Sequence, residues 1–195
     1  MDETQRIIDF IHYAEKLKTE LRKAFKSDES RESVAEHTWR VSLMLLLIVP
    51  KLKIEVDFLK ILKMAIIHDL AEIEAKDVPV LESINNHERL SIKEEQELAA
   101  MNNIRAMPGA DGQEIYDLWS EYEEQKTNEA RALKAIDRLE GQFQFLSENV
   151  TTFTEQDQEA IKKLLEETTK LSKIDPFITR LDELTMEDRQ NRIKF

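Results

Sequence analysis

The feature that most constrains this chain is the spacing of its apolar residues, which recurs near 3.6 rather than 2 and so predicts helices. Ile7, Ile8, Ile11, Ala14 and Leu17 fall on one face of a first helix. Val34 to Val49 reads as a second helix and Asp57 to about Ile73 as a third. Ser91 to Met107, Gln113 to Gln125 and Asn128 to Asn149 follow, the last with Thr127 or Asn128 as its N-cap. Thr154 opens a seventh helix running to about Ser172, Asp175-Pro176 starts a short eighth, and the terminal MEDRQNRIKF is either a last helix or frayed. Only 3 Gly and 4 Pro interrupt 195 residues, too few for many strands and turns. Val41 to Val49 and Leu59 to Ile67 are apolar nearly all round, which places both at the centre of a bundle. Apart from the Pro108 to Gly112 turn, nothing reads as a linker, repeat or low-complexity tract. The expected fold is all-α, a single domain over residues 1–195.

The formal net charge of -12 argues against a nucleic-acid polymer as partner, because such binding rests on Lys and Arg meeting phosphates. A small phosphorylated ligand remains compatible, since a bound metal ion supplies positive charge of its own. The chain has no cysteine, which excludes disulfides, thiolate metal sites and a cysteine nucleophile, and fits a cytoplasmic protein. The start of the chain is charged throughout, without the apolar core of a signal peptide. The longest apolar run, Val41 to Pro50, is about half of what a membrane span needs, so no membrane partner is expected. There is no Gly-rich phosphate loop, and the histidines are too few to argue a Ser-His-Asp triad.

The most informative residues are His68 and Asp69, which end the run Met64-Ala65-Ile66-Ile67 in a helix expected to be buried. A buried carboxylate must be paired, hydrogen-bonded or bound to a metal. Glu72 follows within one turn, so a continuous helix would put all three on one face. A second carboxylate there is costly unless a cation is present. His37 enters the other apolar helix, and Asp137 sits in Ala135-Ile136-Asp137-Arg138-Leu139. Two imidazoles and two carboxylates suit Zn, Mn, Fe, Co or Ni, with Mg also admissible. Each residue alone has an ordinary alternative: a satisfied core histidine, or an aspartate paired with Arg138 or Arg40. Buried ionisable clusters also arise structurally.

The order His37, His68-Asp69, Asp137 resembles the HD-domain metal-dependent phosphohydrolases. It is most similar to the YfbR-type 5'-deoxynucleotidase branch. The matching blocks are Glu32-Ser33-Val34-Ala35-Glu36-His37-Thr38, His68-Asp69-Leu70-Ala71-Glu72, Asp77-Val78-Pro79, Leu118-Trp119-Ser120-Glu121-Tyr122, Glu129-Ala130 and Lys134-Ala135-Ile136-Asp137. They span about Leu17 to Phe145, leaving 150–195 to packing. The resemblance implies an HD-type helical bundle, with one divalent transition metal held by His37, His68, Asp69 and Asp137. It implies hydrolysis of a (deoxy)ribonucleoside 5'-monophosphate to nucleoside and phosphate, and commonly a homodimer. Glu72 matches the catalytic glutamate, Asp77 an acidic residue at the sugar side that is counted with the catalytic pair, and Arg22 the phosphate-binding arginine. His37, Asp69, Asp77 and Asp137 would line the substrate with Arg22. Relatives usually place a tryptophan after the arginine, where this chain runs Arg22-Lys23-Ala24-Phe25, and a glycine before Asp77, where it has Lys76.

Two rival readings use the same residues. One is an HD hydrolase of another phosphorylated substrate, such as a signalling nucleotide, suggested by the altered Arg22 to Phe25 run and by Lys76. The other is a non-catalytic helical module whose metal only stabilises the fold. His12 reads as a non-ligand, and so does His87, placed in a loop. Lys93-Glu94-Glu95-Gln96-Glu97 reads as a solvated face, and so does Glu121 to Glu124, although Glu121 is a candidate to support the metal site. Trp39 and Trp119 read as core residues.

Overall fold

Ser33, Asp57 and Asn86 each start a helix, because each side chain accepts a hydrogen bond from a first-turn backbone N–H. The donors are Glu36 at 3.2 Å, Lys60 at 3.0 Å and Arg89 at 3.0 Å. The Glu36 side chain answers by accepting from the Ser33 N–H at 2.8 Å, which completes a capping box. The computed structural model describes residues 2–79, 81, 84, 86–147 and 155–192. Its helices are α1 (Glu3–Ala14), α2 (Val34–Ile48), α3 (Phe58–Ile67), the single turn α4 (Glu72–Ala75), α5 (His87–Arg105), α6 (Gly112–Glu124), α7 (Asn128–Ser147), α8 (Glu155–Ser172) and α9 (Pro176–Arg192). Residues 148 and 149 of the predicted sixth helix, Thr154 of the seventh and residues 193–195 of the tail lie outside the described residues.

The all-α expectation holds, with one small addition. Strands β1 (Leu21–Phe25) and β2 (Arg31–Ser33) form an antiparallel hairpin, with Leu21 opposite Ser33 and Phe25 opposite Arg31. The sequence reading missed it because the segment is short and charged, without clean alternation. The hairpin carries Arg22.

Helix α7 is the packing axis. Ala130, Ala132, Leu133, Ala135, Ile136 and Leu139 are all fully buried on it. They meet α2, α3, α6, α8 and α9. Alanines at three of these positions let neighbouring helices approach closely.

Three expectations about helices need correction. The predicted third helix breaks after Ile67. Leu70, Glu72 and Ile73 donate their N–H groups three residues back, at 3.0, 3.0 and 3.3 Å, so His68 to Ala71 form tight turns. The eighth helix is long, because α9 absorbs most of the tail. Helices α2 and α3 are not enclosed on all sides. Val41, Leu45 and Ile48 are buried on α2, and Ile61, Met64 and Ala65 on α3. Opposite them, Trp39, Leu43, Leu46 and Leu47 on α2, and Leu59 and Ile66 on α3, face outward. Trp39 and Leu47 are each 65% exposed. Apolar composition specifies that a face wants cover, but not that the same chain supplies it.

Asp175 ties the start of α9 to the segment after α2. Its Oδ2 accepts from the N–H groups of Lys53 and Ile54 at 2.6 and 3.1 Å, and its Oδ1 from Phe177 at 2.8 Å. Asp175→Ala removes a cap and leaves three amides without this acceptor, so the expected loss is about 3 kcal/mol in urea unfolding. Burial opposes the charge, but the three amides outweigh it and hold this carboxyl below its ordinary range. The stabilisation is complete above the unfolded value of about 3.9 and is lost as pH falls through the lower folded value. The gap between wild type and variant therefore closes below that range.

Candidate active site

His37 lies in the first turns of α2, His68 caps the end of α3, Asp69 follows in the tight turn, and Asp137 projects from α7. The structure brings all four to one place. His37 Nε2, His68 Nε2 and an Asp69 oxygen lie within 4.8 Å of one another. Asp69 Oδ2 is 3.6 Å from His37 Nε2 and 3.3 Å from His68 Nε2. Asp137 Oδ1 is 3.1 Å and 3.9 Å from the same two nitrogens. Helix α3 ends at Ile67, and His68 and Asp69 enter the site from the tight turns that follow it.

The far side of each imidazole is tied down. His68 Nδ1 lies 2.7 Å from the Ala65 carbonyl, which can only accept, so Nδ1 carries the proton and Nε2 offers its lone pair inward. His37 Nδ1 lies 2.5 Å from Glu140 Oε2. Both Nε2 atoms are buried and make no hydrogen bond of ordinary geometry among the described residues. Buried nitrogens left this way are costly. Two such nitrogens facing two carboxylates fit a divalent ion, and the donor set is one that transition metals accept.

Asp137 is oriented from its other oxygen. The Tyr122 hydroxyl donates to Oδ2 at 3.1 Å, and Lys134 Nζ donates to the Tyr122 oxygen at 3.0 Å. Burial and the charges of Asp137 and Asp69 push the Tyr122 phenol up, so it stays a donor.

Charge at the site is strongly coupled. Burial and Arg22 oppose protonation of His37, but the adjacent carboxylates of Asp137 and Glu140 outweigh them and lift it to about 10. Burial opposes the Asp137 charge, yet His37 and Lys134 hold it well below the usual carboxylate range, and His68 and His37 lower Asp69 in the same way. Glu72 goes the other way. It is buried, its Oε2 has no hydrogen-bond partner among the described residues, and burial with Asp69 and Asp77 raises it well above a normal glutamate. Burial likewise raises Asp77, against the pull of Arg22.

Arg22 reaches inward from β1. Its Nη1 donates to Glu32 Oε2 at 2.8 Å and lies 3.4 Å from Glu140 Oε2. Asp69 and Asp137 add to the field that keeps it charged. Lys76 sits just before Asp77 with φ +70° and ψ 151°, a backbone conformation that L side chains seldom adopt. Glycine would adopt that conformation without strain. The Lys76 ammonium pairs with Glu20 at 2.8 Å. Phe25 stands at the end of β1 with its ring largely exposed.

Several residues differ from their sequence reading. Trp39 is a surface residue on α2, whereas Trp119 is buried as expected. His87 is the first residue of α5 rather than part of a loop. The run Lys93 to Glu97 is only partly solvated: Glu97 is buried and pairs with Lys93 at 2.7 Å. Burial resists the Lys93 charge, but Glu97, Glu72 and Asp69 raise it. Glu121 accepts from Lys60 and Thr127 at 2.6 and 2.5 Å, joining α3 to the turn before α7 rather than supporting the metal residues. Glu140 was missed outright. Its spacing of three residues after Asp137 on a helix is the signal that could have found it.

This arrangement, in an all-helical scaffold, is that of a metal-dependent phosphohydrolase. The HD domain model matches residues 14–175. The chain belongs to the HD domain family. The 5'-deoxynucleotidase HDDC2 of Dictyostelium discoideum is 34% identical over 140 residues, which cover 68% of this chain and 72% of that protein. Its namesake in Danio rerio is 36% identical over 118 residues, covering 60% of this chain and 55% of the relative, so the match there spans little over half the relative's length. Among solved structures, a predicted metal-dependent phosphohydrolase from Magnetospirillum magnetotacticum MS-1 superposes with a TM-score of 0.76 at 26% identity, over 95% of this chain and 94% of that one.

Proposed function

We propose that this site hydrolyses (deoxy)ribonucleoside 5'-monophosphates to nucleoside and phosphate. The chain is a phosphohydrolase of the 5'-deoxynucleotidase type. The observation that carries the reading is the pair of buried, unpartnered imidazole nitrogens facing Asp69 and Asp137, with a charged arginine beside them. His37, His68, Asp69 and Asp137 would hold the metal. When bound, such an ion polarises a phosphoryl oxygen and lowers the pKa of water.

The remaining work falls to the chain. Arg22 meets the phosphate oxygens and offsets charge that grows in the transition state. Water's oxygen bonds to phosphorus, the ester P–O bond breaks, and the nucleoside oxygen takes a proton. Glu72, buried beside Asp69 and Asp77, is the carboxyl assigned to carry a proton on that path. Asp77, within the field of Arg22, is assigned to the sugar side. The whole chain works as one domain, since α8 and α9 pack on the helix that carries Asp137.

A homodimer belongs to the same reading. Trp39, Leu43, Leu46 and Leu47 recur at helical spacing on the outer face of α2, next to the outward Leu59 and Ile66 of α3. Exposed apolar faces of this kind mark interaction sites. A cytoplasmic location is proposed with it, as the compartment of nucleotide turnover. No described helix is long and apolar enough to cross a membrane.

The test is phosphate release from a panel of nucleoside 5'-monophosphates, deoxy and ribo, with Mn, Co, Zn and Mg compared. Deoxymonophosphates should release phosphate. A panel in which they are inert while a pyrophosphate or phosphodiester is cleaved would favour the signalling-nucleotide reading, which Phe25 and Lys76 motivate. Bound metal with no turnover of any phosphoester would favour a non-catalytic module.

A further inference from the structure

We propose that Glu140 couples the two halves of the site, holding the metal ligand His37 and the phosphate arginine Arg22 with one carboxylate. The inference rests on the reading of His37 as a ligand and Arg22 as the phosphate contact.

Glu140 is 0% exposed, in a chain where a buried charge must be paired to be tolerated. Both of its oxygens are engaged. Oε2 lies 2.5 Å from His37 Nδ1 and 3.4 Å from Arg22 Nη1. Oε1 accepts from Arg40 Nε at 2.6 Å, with Arg40 Nη2 at 2.5 Å. Glu32 completes the cluster by accepting from Arg22 at 2.8 Å and lying 3.7 Å from Arg40. Two carboxylates thus face two guanidinium groups, and the imidazole is the additional donor.

The row along α7 gives this cluster its direction. Asp137, Glu140 and Gln144 are spaced three and four residues apart, so they share one helical face. Asp137 turns an oxygen to the metal residues. Glu140 takes the outer nitrogen of His37 and the hand of Arg22. Gln144 accepts from Arg40 at 2.6 Å and donates to the Phe25 carbonyl at the end of β1. The hairpin carrying Arg22 is therefore docked on the same helix face that supplies a metal ligand. A carboxylate on the outer nitrogen of a ligand histidine fixes its tautomer and raises its basicity, and losing one commonly weakens metal binding 10- to 100-fold, on the order of magnitude seen elsewhere.

The experiment compares wild type, Glu140→Gln and Glu32→Gln, each stripped with chelator and checked for folding by circular dichroism. Mn²⁺ affinity is measured by calorimetry without substrate. Inorganic phosphate affinity is measured on the Mn²⁺-loaded protein. Glu140→Gln should weaken Mn²⁺ about 10- to 100-fold and weaken phosphate as well. Glu32→Gln, which touches Arg22 and not the His37 ring by any hydrogen bond, should weaken phosphate and leave Mn²⁺ affinity close to wild type. Glu140→Asp keeps the charge on a shorter arm and should recover part of both losses. It carries the test if Glu140→Gln does not fold. Unchanged Mn²⁺ affinity in the Glu140 variants, or a loss of Mn²⁺ with phosphate binding intact, overturns the coupling. A wild type that binds Mn²⁺ and phosphate but cleaves no 5'-monophosphate overturns the proposed substrate and leaves the coupling standing.

Discussion

Glu72→Gln lowers kcat by about 10²- to 10⁴-fold, the range typical of a lost general acid or base, while metal content stays at the wild-type level. The substitution is nearly isosteric and removes only the capacity to hold and release a proton. Glu72 is buried beside Asp69 and Asp77, and those charges already push it towards its neutral form. A neutral amide in its place therefore adds no unpaired charge, and thermal stability should hold or rise slightly. Phosphate release and elemental analysis on the same sample separate the two effects. Unchanged turnover removes Glu72 from the proton path. Lost turnover together with lost metal makes it a metal-site residue instead.

Removing the metal should have the second large effect, and it should reach stability as well as turnover. Asp69 and Asp137 both approach the two buried imidazoles, and an ion between them would offset the two carboxylate charges. An ion at 100 times its Kd stabilises a folded state by about 2.7 kcal/mol. For a chain of this size that corresponds to roughly 5–10 °C in Tm. Chelation should lower Tm by that amount and abolish phosphate release, and Mn²⁺ should restore both. His68→Asn should start at the chelated Tm and respond little to added metal, because His68 Nε2 is one of the converging donors. A wild-type Tm indifferent to both chelator and Mn²⁺ would contradict the assignment of these four residues.

The helical class was legible because a 3.6-residue apolar period survives in nearly every segment, and caps such as Ser33 and Asp57 mark where helices begin. Asp137 was legible for a similar reason: a charge amid Ala135, Ile136 and Leu139 stands out against a buried face. The β1–β2 hairpin was not, since its first strand, Leu21–Phe25, sets two adjacent basic residues between apolar ones and carries no clear period of two. Trp39 and the outer leucines of α2 were misjudged because apolarity reports a preference for burial and not the identity of the cover. Glu97 was misjudged in the opposite sense, as charge suggested solvent where a lysine was waiting.

His37, His68-Asp69, Glu72 and Asp137 were singled out from the sequence by residue type and apolar surroundings, and given their proposed roles by the family resemblance. Residue type and surroundings are local properties of a chain. Three matters were decided only by tertiary structure. The helix ends at Ile67, so His68 and Asp69 reach the site from tight turns rather than from one straight helix face. Arg22 is delivered by a hairpin far along the chain from Asp137. Glu140, read from sequence as an unremarked helix residue, becomes the partner of His37, Arg22 and Arg40. Each depends on distances between segments remote in sequence, and packing around α7 is what sets those distances.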